Sequence, residues 1–285
     1  MNYRHAFHAG NHADVLKHVV VLAICDALAA KPAPCFALDT HAGRGLYRLD
    51  ADAARRTGEA EGGIARLLAE RPRAAAVRRY LSAVDACRGA HGAQAYPGSP
   101  WLLAHALRAQ DRIACCELQP DEAKALHRHL GDDARLAIHT RDGYAAIKAL
   151  LPPRHGALRY ARGLVLVDPP YEAQLGEFDA ALAALRDGLS RWPQGCFVLW
   201  YPVKQGATLR PTMRRAAGLP GKSLLCVELA VRPDDSPLRM NGSGLLVWNA
   251  PWGLHDALAE ALPELSLRLD EGGGGHAIEW LRAPA

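Results

Sequence analysis

The sequence predicts an α/β fold with a mostly parallel sheet, on three observations. Short apolar runs alternate with longer segments whose apolar residues recur at helical spacing. The gaps between runs are long enough for helical crossovers, which parallel strands require. The sharpest polar signals, "DTHAGRG", "CCEL", "TRDG" and "VDPPYE", each fall where a predicted strand ends, the edge at which open parallel sheets bind ligands.

The elements follow in order. Residues 11–30, "NHADVLKHVVVLAICDALAA", predict one helix, with Asn11 as candidate N-cap, Asp14 three residues on, and Val15, Leu16, Val19, Val20, Leu22 and Ala23 at helical spacing. Lys17 and His18 before "VVVLAIC" and "ALAA" after it imitate a secretory signal. Asp26 interrupts that run, and Asp14 with three histidines lies upstream, so a buried helix is the expectation. No apolar run approaches the roughly 20 residues of a membrane span.

"PCFALDTHAGRG" (34–45) reads as a buried strand entering a glycine loop. From 46 to 97 the periodicity is helical, in "IARLLAE" and "VRRYLSAVDAC", and the segment closes on the turn-forming "YPGSP". The alternation then resumes with a helix near 99–109, strand "RIACCEL", helix 121–130, strand "ARLAIHT", helix 143–151 and strand "GLVLVDPP". Helix 176–191, strand "CFVLWYPV", helix 205–218, strands "SLLCVELAV" and "SGLLVWNAP", helix 253–262 and a short terminal strand after a glycine turn complete the chain. The expected organisation is one domain from 1–45 and 98–285, with 46–97 as a helical insertion subdomain.

Composition bounds the function. With 285 residues, 49% hydrophobic and 22% charged, the chain can bury a sizeable core, and disordered and fibrous classes drop out. The net charge is +4, and 28 of the 34 cations are arginine, which suits a phosphate-bearing partner; base-composition bias accounts for it equally well. Seven cysteines without a Cys-x-x-Cys, several inside apolar runs, predict reduced core thiols in a cytosolic protein.

Three strand ends predict a nucleoside cofactor. "DTHAGRG" lacks both the dinucleotide and the P-loop fingerprints. A short glycine loop preceded by an acid suits S-adenosylmethionine, which carries an amino-acid end and no pyrophosphate. Glu117 ends "RIACCEL", where a carboxylate can accept both ribose hydroxyls. Its distance of 78 residues from Asp39, against the usual spacing of about 20, matches an insertion at 46–97. Asp142 and Gly143, in "TRDG", are placed to meet an adenine amino group. Each acid alone could be a solvated loop residue.

"DPPY", residues 168–171, is the fourth signal. An exocyclic amine on adenine is a poor nucleophile because its lone pair is delocalised into the ring. A catalyst must therefore hold the NH2 with acceptors and leave the lone pair aimed at a methyl donor. Asp168 supplies one acceptor, the carbonyl of Pro169 a second from a backbone fixed by proline, and Tyr171 a face for an extruded base.

On these residues the sequence resembles the amino-methyltransferases of exocyclic base amines. With "NYRHAFHAGNHADVLKH", "LDTHAGRG", "RRTGEAEGG", "YPGSP", "LVDPPYE", "LWYPV", "ELAVRP" and "GHAIEW", it resembles more specifically the bacterial 23S ribosomal RNA adenine-N6 methyltransferase J family, across nearly the whole chain. The resemblance implies a Rossmann-like class I methyltransferase sheet with a small helical insertion, S-adenosylmethionine as cofactor, and one adenine of 23S rRNA as target. It also implies Asp168 as catalytic acceptor, Tyr3 on the substrate side, His5 and Lys17 as important N-terminal positions, and His18, His41, Ser99, Glu117, Asp142 and Gly143 around the cofactor. Protein-free rRNA or an early assembly intermediate is the expected partner, and a cytoplasmic monomer the expected state, with no membrane association.

Rival readings are specific. His5, His8, His12 and His18 invite a metal, but no carboxylate or cysteine stands at ligand spacing; an arm folded over the site, with Lys17 on a phosphate or the cofactor, is more economical. A DNA adenine methyltransferase would need a sequence-reading element, for which 46–97 is a thin candidate. A nucleic-acid binding protein serving DNA uptake or use would not need "DPPY" beside Glu117 and Asp142. Two basic groups, Arg154, Arg159 and Arg162, and Arg210, Arg214, Arg215 and Lys222, would bind RNA backbone if they flank the strand ends.

Overall fold

The computed structural model describes residues 5–171, 175–204, 206–237 and 240–284. A short 3-10 turn (His5–Phe7) leads into α1 (His12–Ala29), whose N-cap is Asn11: its side chain accepts from the Asp14 amide at 2.9 Å. Chain order continues through β1 (Phe36–Asp39), β2 (Leu46–Arg48), α2 (Asp52–Thr57), α3 (Ile64–Leu68), α4 (Ala75–His91), β3 (Ala95–Pro97) and α5 (Ser99–Ala106). Then come β4 (Arg112–Glu117), α6 (Pro120–Leu130), β5 (Leu136–Thr140), α7 (Gly143–Leu150), a two-residue pair β6 (Arg154–His155) and β7 (Leu158–Arg159), and β8 (Gly163–Val167). The last third holds α8 (Leu175–Arg191), β9 (Cys196–Val203), α9 (Gly206–Ala217), β10 (Leu224–Ala230), β11 (Gly242–Trp248), α10 (Leu254–Leu269) and β12 (Gly275–Arg282).

The main sheet runs β12-β10-β11-β9-β8-β1-β4-β5. From β9 to β5 every pairing is parallel, while β11 pairs antiparallel with both β9 and β10, and β12 antiparallel with β10. The apolar strands are buried because helices cover both faces. One apolar cluster packs residues of α1, α4 and α10 against the sheet, and the other packs α7, α8 and α9. The chain steps outward from β1 to β4 and β5, then returns to β8 on the far side of β1. That reversal opens a crevice at the carboxyl ends of β1 and β8.

Two expectations need correction. The stretch 46–97 is not helical throughout: β2 and β3 pair antiparallel, Tyr47 opposite Tyr96, and bring its two ends together. The last helix runs beyond 262 through Pro263 to Leu269, because Leu262, Leu265 and Leu269 stay on its buried face; burial there outweighs the one lost backbone hydrogen bond. The basic residues 154–162 precede β8 and so lie toward the amino ends of the parallel strands, away from the crevice. Among the described residues no helix is long and apolar enough to cross a membrane.

Candidate active site

A cavity of about 420 Å³ opens where the parallel strands end. It takes in Asp168, Pro169 and Tyr171 after β8, His41 after β1, Glu117 from β4, and Asp142 and Gly143 at the start of α7. Lys17 and His18 reach it from α1, Ser99 from α5, and His5 from the N-terminal arm. Tyr3 lies outside the described residues.

Each strand end is held by local chemistry. Gly43 sits at φ +58°, and a Cβ there would stand 2.2 Å from the Tyr47 hydroxyl, so any side chain at this turn is strained and must displace Tyr47. Glu117 ties that turn to β4, accepting from the Gly43 amide at 2.8 Å with one oxygen and from the Gln119 amide at 2.7 Å with the other. Burial raises its pKa. Asp142 caps α7 by accepting from Ala145 N at 2.7 Å, so one of its oxygens is committed to the helix. A Cβ on Gly143 would fall 2.0 Å from the Thr40 carbonyl oxygen, which lets α7 press against the β1 loop.

Hydrogen-bond logic settles the His41 tautomer. The Thr40 hydroxyl gives its one proton to the Leu166 carbonyl at 2.9 Å, so at 2.8 Å it can only accept from His41 Nδ1–H. His41 Nε2 therefore carries a lone pair, and burial keeps the ring neutral by lowering its pKa to about 4. His18, buried beside Tyr80 and Tyr96, bonds the Tyr96 hydroxyl at 3.1 Å, and desolvation lowers it to about 3. Asp39 is fully buried at the end of β1; burial pushes its carboxyl up to about 7 against the opposing Ser99 hydroxyl, and its Oδ2 has no partner among the described residues.

The strongest electrostatic feature is a buried chain of charges. Lys17 Nζ stands 2.8 Å from Asp14 Oδ1 and 2.6 Å from Asp168 Oδ2. Asp14 Oδ2 also accepts from Gly10 N at 2.9 Å and His5 Nε2 at 3.0 Å. Burial alone would raise Asp14, yet the charges of His5 and Lys17 carry it well below the usual carboxylate range. Burial alone would lower Lys17, yet Asp14 and Asp168 hold it well above the usual amine range. Lys17, expected on a phosphate or the cofactor, is instead committed between two carboxylates.

Tyr171 also differs from expectation. Its hydroxyl donates to the Trp200 carbonyl at 2.9 Å, its ring packs on Phe178 and Trp200 at 4.8 and 5.7 Å, and only 8% of it is exposed. The broad open face expected for a stacked base is largely covered in this conformation. The four N-terminal histidines diverge: His5 goes to Asp14, His8 to Glu59 at 2.8 Å, His18 to Tyr96, and His12 is buried at the start of α1 with a pKa lowered by desolvation to about 4. Among the described residues no group of three metal-ligating side chains converges.

Sequence reasoning assigned no role in the site to Asp14, Thr40 or Tyr144. Tyr144 bonds Glu177 at 2.9 Å and meets the His41 ring edge-on at 5.2 Å. Asp14 was readable only as a capping neighbour, and nothing local marks Thr40 or Tyr144. The cavity lining as a whole is acidic, with Asp14, Glu59, Glu117, Glu122, Asp142, Asp168 and Glu177 against Lys17 and Lys204.

Comparison with known proteins identifies the family. The family model described as "Ribosomal RNA large subunit methyltransferase D, RlmJ" matches residues 32–282. The chain is similar to proteins named Ribosomal RNA large subunit methyltransferase J from Haemophilus influenzae and Escherichia coli, each 38% identical and each matched over 99% of both chains. A crystal structure of a Legionella pneumophila protein is similar at a TM-score of 0.83 and 29% identity, over 95% of this chain and 98% of that one. With the family model matched over residues 32–282 and two relatives 38% identical over 99% of the chain, the chain belongs to the ribosomal RNA large subunit methyltransferase D, RlmJ, family.

Proposed function

We propose that this protein transfers a methyl group from S-adenosylmethionine to the exocyclic N6 of one adenine in 23S rRNA. Family membership carries the coarser statement outright: the protein is an rRNA methyltransferase that uses S-adenosylmethionine. The observation that carries the finer one is Asp168, set beside two prolines at a strand end with its Oδ2 held by Lys17 at 2.6 Å. Its other oxygen is the one to accept from an N6–H.

The cavity fits the cofactor. Its volume lies in the ordinary range for such ligands, and its carboxylates and the bare His41 Nε2 suit a molecule bearing a sulfonium and an ammonium group. We assign His18, His41, Ser99, Glu117, Asp142 and Gly143 to hold it. When bound, it supplies an electrophilic methyl group.

The chain's own residues do the rest. Asp168 and the Pro169 carbonyl hold the amine by its hydrogens, so that its lone pair is the part left exposed. Asp168 then takes the proton released as the nitrogen becomes cationic; a methylated exocyclic ammonium is acidic enough for a carboxylate paired with Lys17 to accept it. Tyr171 closes the base side with Trp200 and Phe178, His5 serves the base from the arm, and Tyr3, outside the described residues, is assigned to the substrate side as well. Protein-free rRNA or an early assembly intermediate, met by a cytoplasmic monomer, is the substrate we infer, because a base must be free to leave its stack.

The test is transfer of labelled methyl to protein-free 23S rRNA, with duplex DNA in parallel, followed by nucleoside digestion. N6-methyladenosine from RNA alone is the expected product; label in DNA, or on another nucleoside, overturns the reading. Asp168→Ala is expected to abolish turnover while S-adenosylmethionine binding changes by less than about twofold, as for an interaction made only in the transition state.

A further inference from the structure

We propose that a second, basic cavity beside the active site receives a backbone phosphate of the rRNA strand flanking the target base. The inference rests on the rRNA reading above. It begins from a mismatch of charge: the active-site cavity is rich in carboxylates, which suits a cationic methyl donor and repels the polyanion that must deliver the base. An adjoining surface therefore has to supply the attraction.

The second cavity, of about 400 Å³, does so. Arg44, Arg48, His91 and His129 line it, and among the described residues no carboxylate does, although Glu122 and Asp50 pair with the two arginines from beside it. It is one ring's width from the first: Tyr47 lines both, and His5 meets the Tyr47 ring edge-on at 4.9 Å, so the two side chains form the dividing wall. A base that enters the first cavity leaves its own backbone at this wall.

One histidine is left as a donor for an oxyanion and the other holds the wall. A backbone carbonyl can only accept, so His129 Nδ1 must donate to the Arg44 carbonyl at 2.8 Å, which fixes that ring and leaves Nε2 a lone pair in the neutral form. His91 Nε2 accepts from the Trp101 indole N–H at 3.2 Å, which leaves Nδ1 as its N–H. Arg44 is a bidentate partner of Glu122 at 2.7 and 2.5 Å and is half-buried, so it is the fixed wall of the site. Arg48 pairs with Asp50 at 2.9 and 2.7 Å, and its side chain is 57% exposed. A solvent-screened pair of that kind is weak, and a phosphate offers the guanidinium the same fork geometry with more charge.

Arg48→Gln and Arg48→Glu in the full chain test this, assayed on protein-free 23S rRNA with labelled S-adenosylmethionine over a range of salt concentrations. Arg186→Gln, which removes an exposed charge from α8, is the control. Arg48→Gln is expected to raise KM for rRNA about tenfold, the size of one charge-assisted contact. It should also reduce the slope of log affinity against log salt by about 0.7, the value of one phosphate on a single strand. kcat at saturating RNA and KM for S-adenosylmethionine should stay unchanged, and Arg48→Glu should be worse. An unchanged RNA KM and slope, or an equal effect of Arg186→Gln, overturns the site. No methylation of rRNA by the unaltered protein with S-adenosylmethionine bound overturns the rRNA reading itself, and the phosphate site with it.

Discussion

Asp14 and Asp39 are both buried carboxyls, one near the start of α1 and the other at the end of β1, yet their titrations run in opposite directions. Asp14 accepts from Lys17, from His5 and from a backbone amide, and its pKa in the fold lies well below its unfolded value. Its stabilisation is therefore fully present above about pH 4 and lost only as pH falls below that. Asp14→Asn, which leaves Lys17 buried with one partner fewer, is expected to lower unfolding free energy by about 3 kcal/mol at pH 7. In denaturant titrations that difference should shrink below pH 4; a difference independent of pH would show that Asp14 acts by shape alone.

Asp39 has no ion-pair partner among the described residues, and burial raises it to about 7. The folded protein binds a proton there that the unfolded chain has released above about pH 4, so this group's contribution to stability falls as pH rises from about 4 to about 7. Asp39→Asn should remove that slope and exceed the parent in stability above pH 7, by on the order of a few kcal/mol. Equal pH slopes for parent and variant, measured by urea unfolding of the ligand-free protein, would refute the assignment. Neither direction was legible in the sequence, where both are simply acids near glycines and histidines. The sign is set by what lies within hydrogen-bond reach after folding.

At the scale of elements, α1 and α7 carry the site because each begins where a strand-end loop needs a wall. The start of α1 was readable: Asn11 caps it as its position predicts, and Glu59 bonds both Asn11 Nδ2 at 2.9 Å and His8 Nδ1 at 2.8 Å. That second tie, which docks the arm, spans about 50 residues of chain and has no local signature. The start of α7 depends on Gly143. Gly143→Ala would drive a Cβ onto backbone, and is expected to cost about 1–3 kcal/mol and to weaken S-adenosylmethionine binding together with stability. A variant of parental stability, read from its denaturant midpoint, would mean that the α7 approach is looser than this packing. The strands were legible because continuous apolar runs flanked by turn residues leave few alternatives, whereas β2 and β3 were not. Three-residue strands carry no periodicity, and only their mutual pairing defines them.

For the whole molecule, the apolar face of α4 is shared with α1 and α10, so the stretch 46–97 has no apolar core of its own among the described residues. It should unfold with the sheet. Far-ultraviolet circular dichroism and tryptophan fluorescence are expected to report one coincident transition, and S-adenosylmethionine at a hundred times its Kd should stabilise both probes by about 2.7 kcal/mol. Two separated transitions would show the stretch to be an independent unit.

By itself the sequence determined the α/β class, nearly every long element, and the strand ends at which ligand chemistry gathers, because periodicity and turn chemistry are local and survive without the fold. It also placed "DPPY" at the end of a strand, since a double proline cannot continue any element. Tertiary structure alone decided that Lys17 faces Asp168, that Tyr171 is packed on Trp200, that Thr40 dictates the His41 tautomer, and that an acid-lined cavity adjoins a basic one. Each of those joins residues distant in sequence or depends on which single proton a donor can give. Charge, burial and hydrogen-bond direction take their values only when such partners meet.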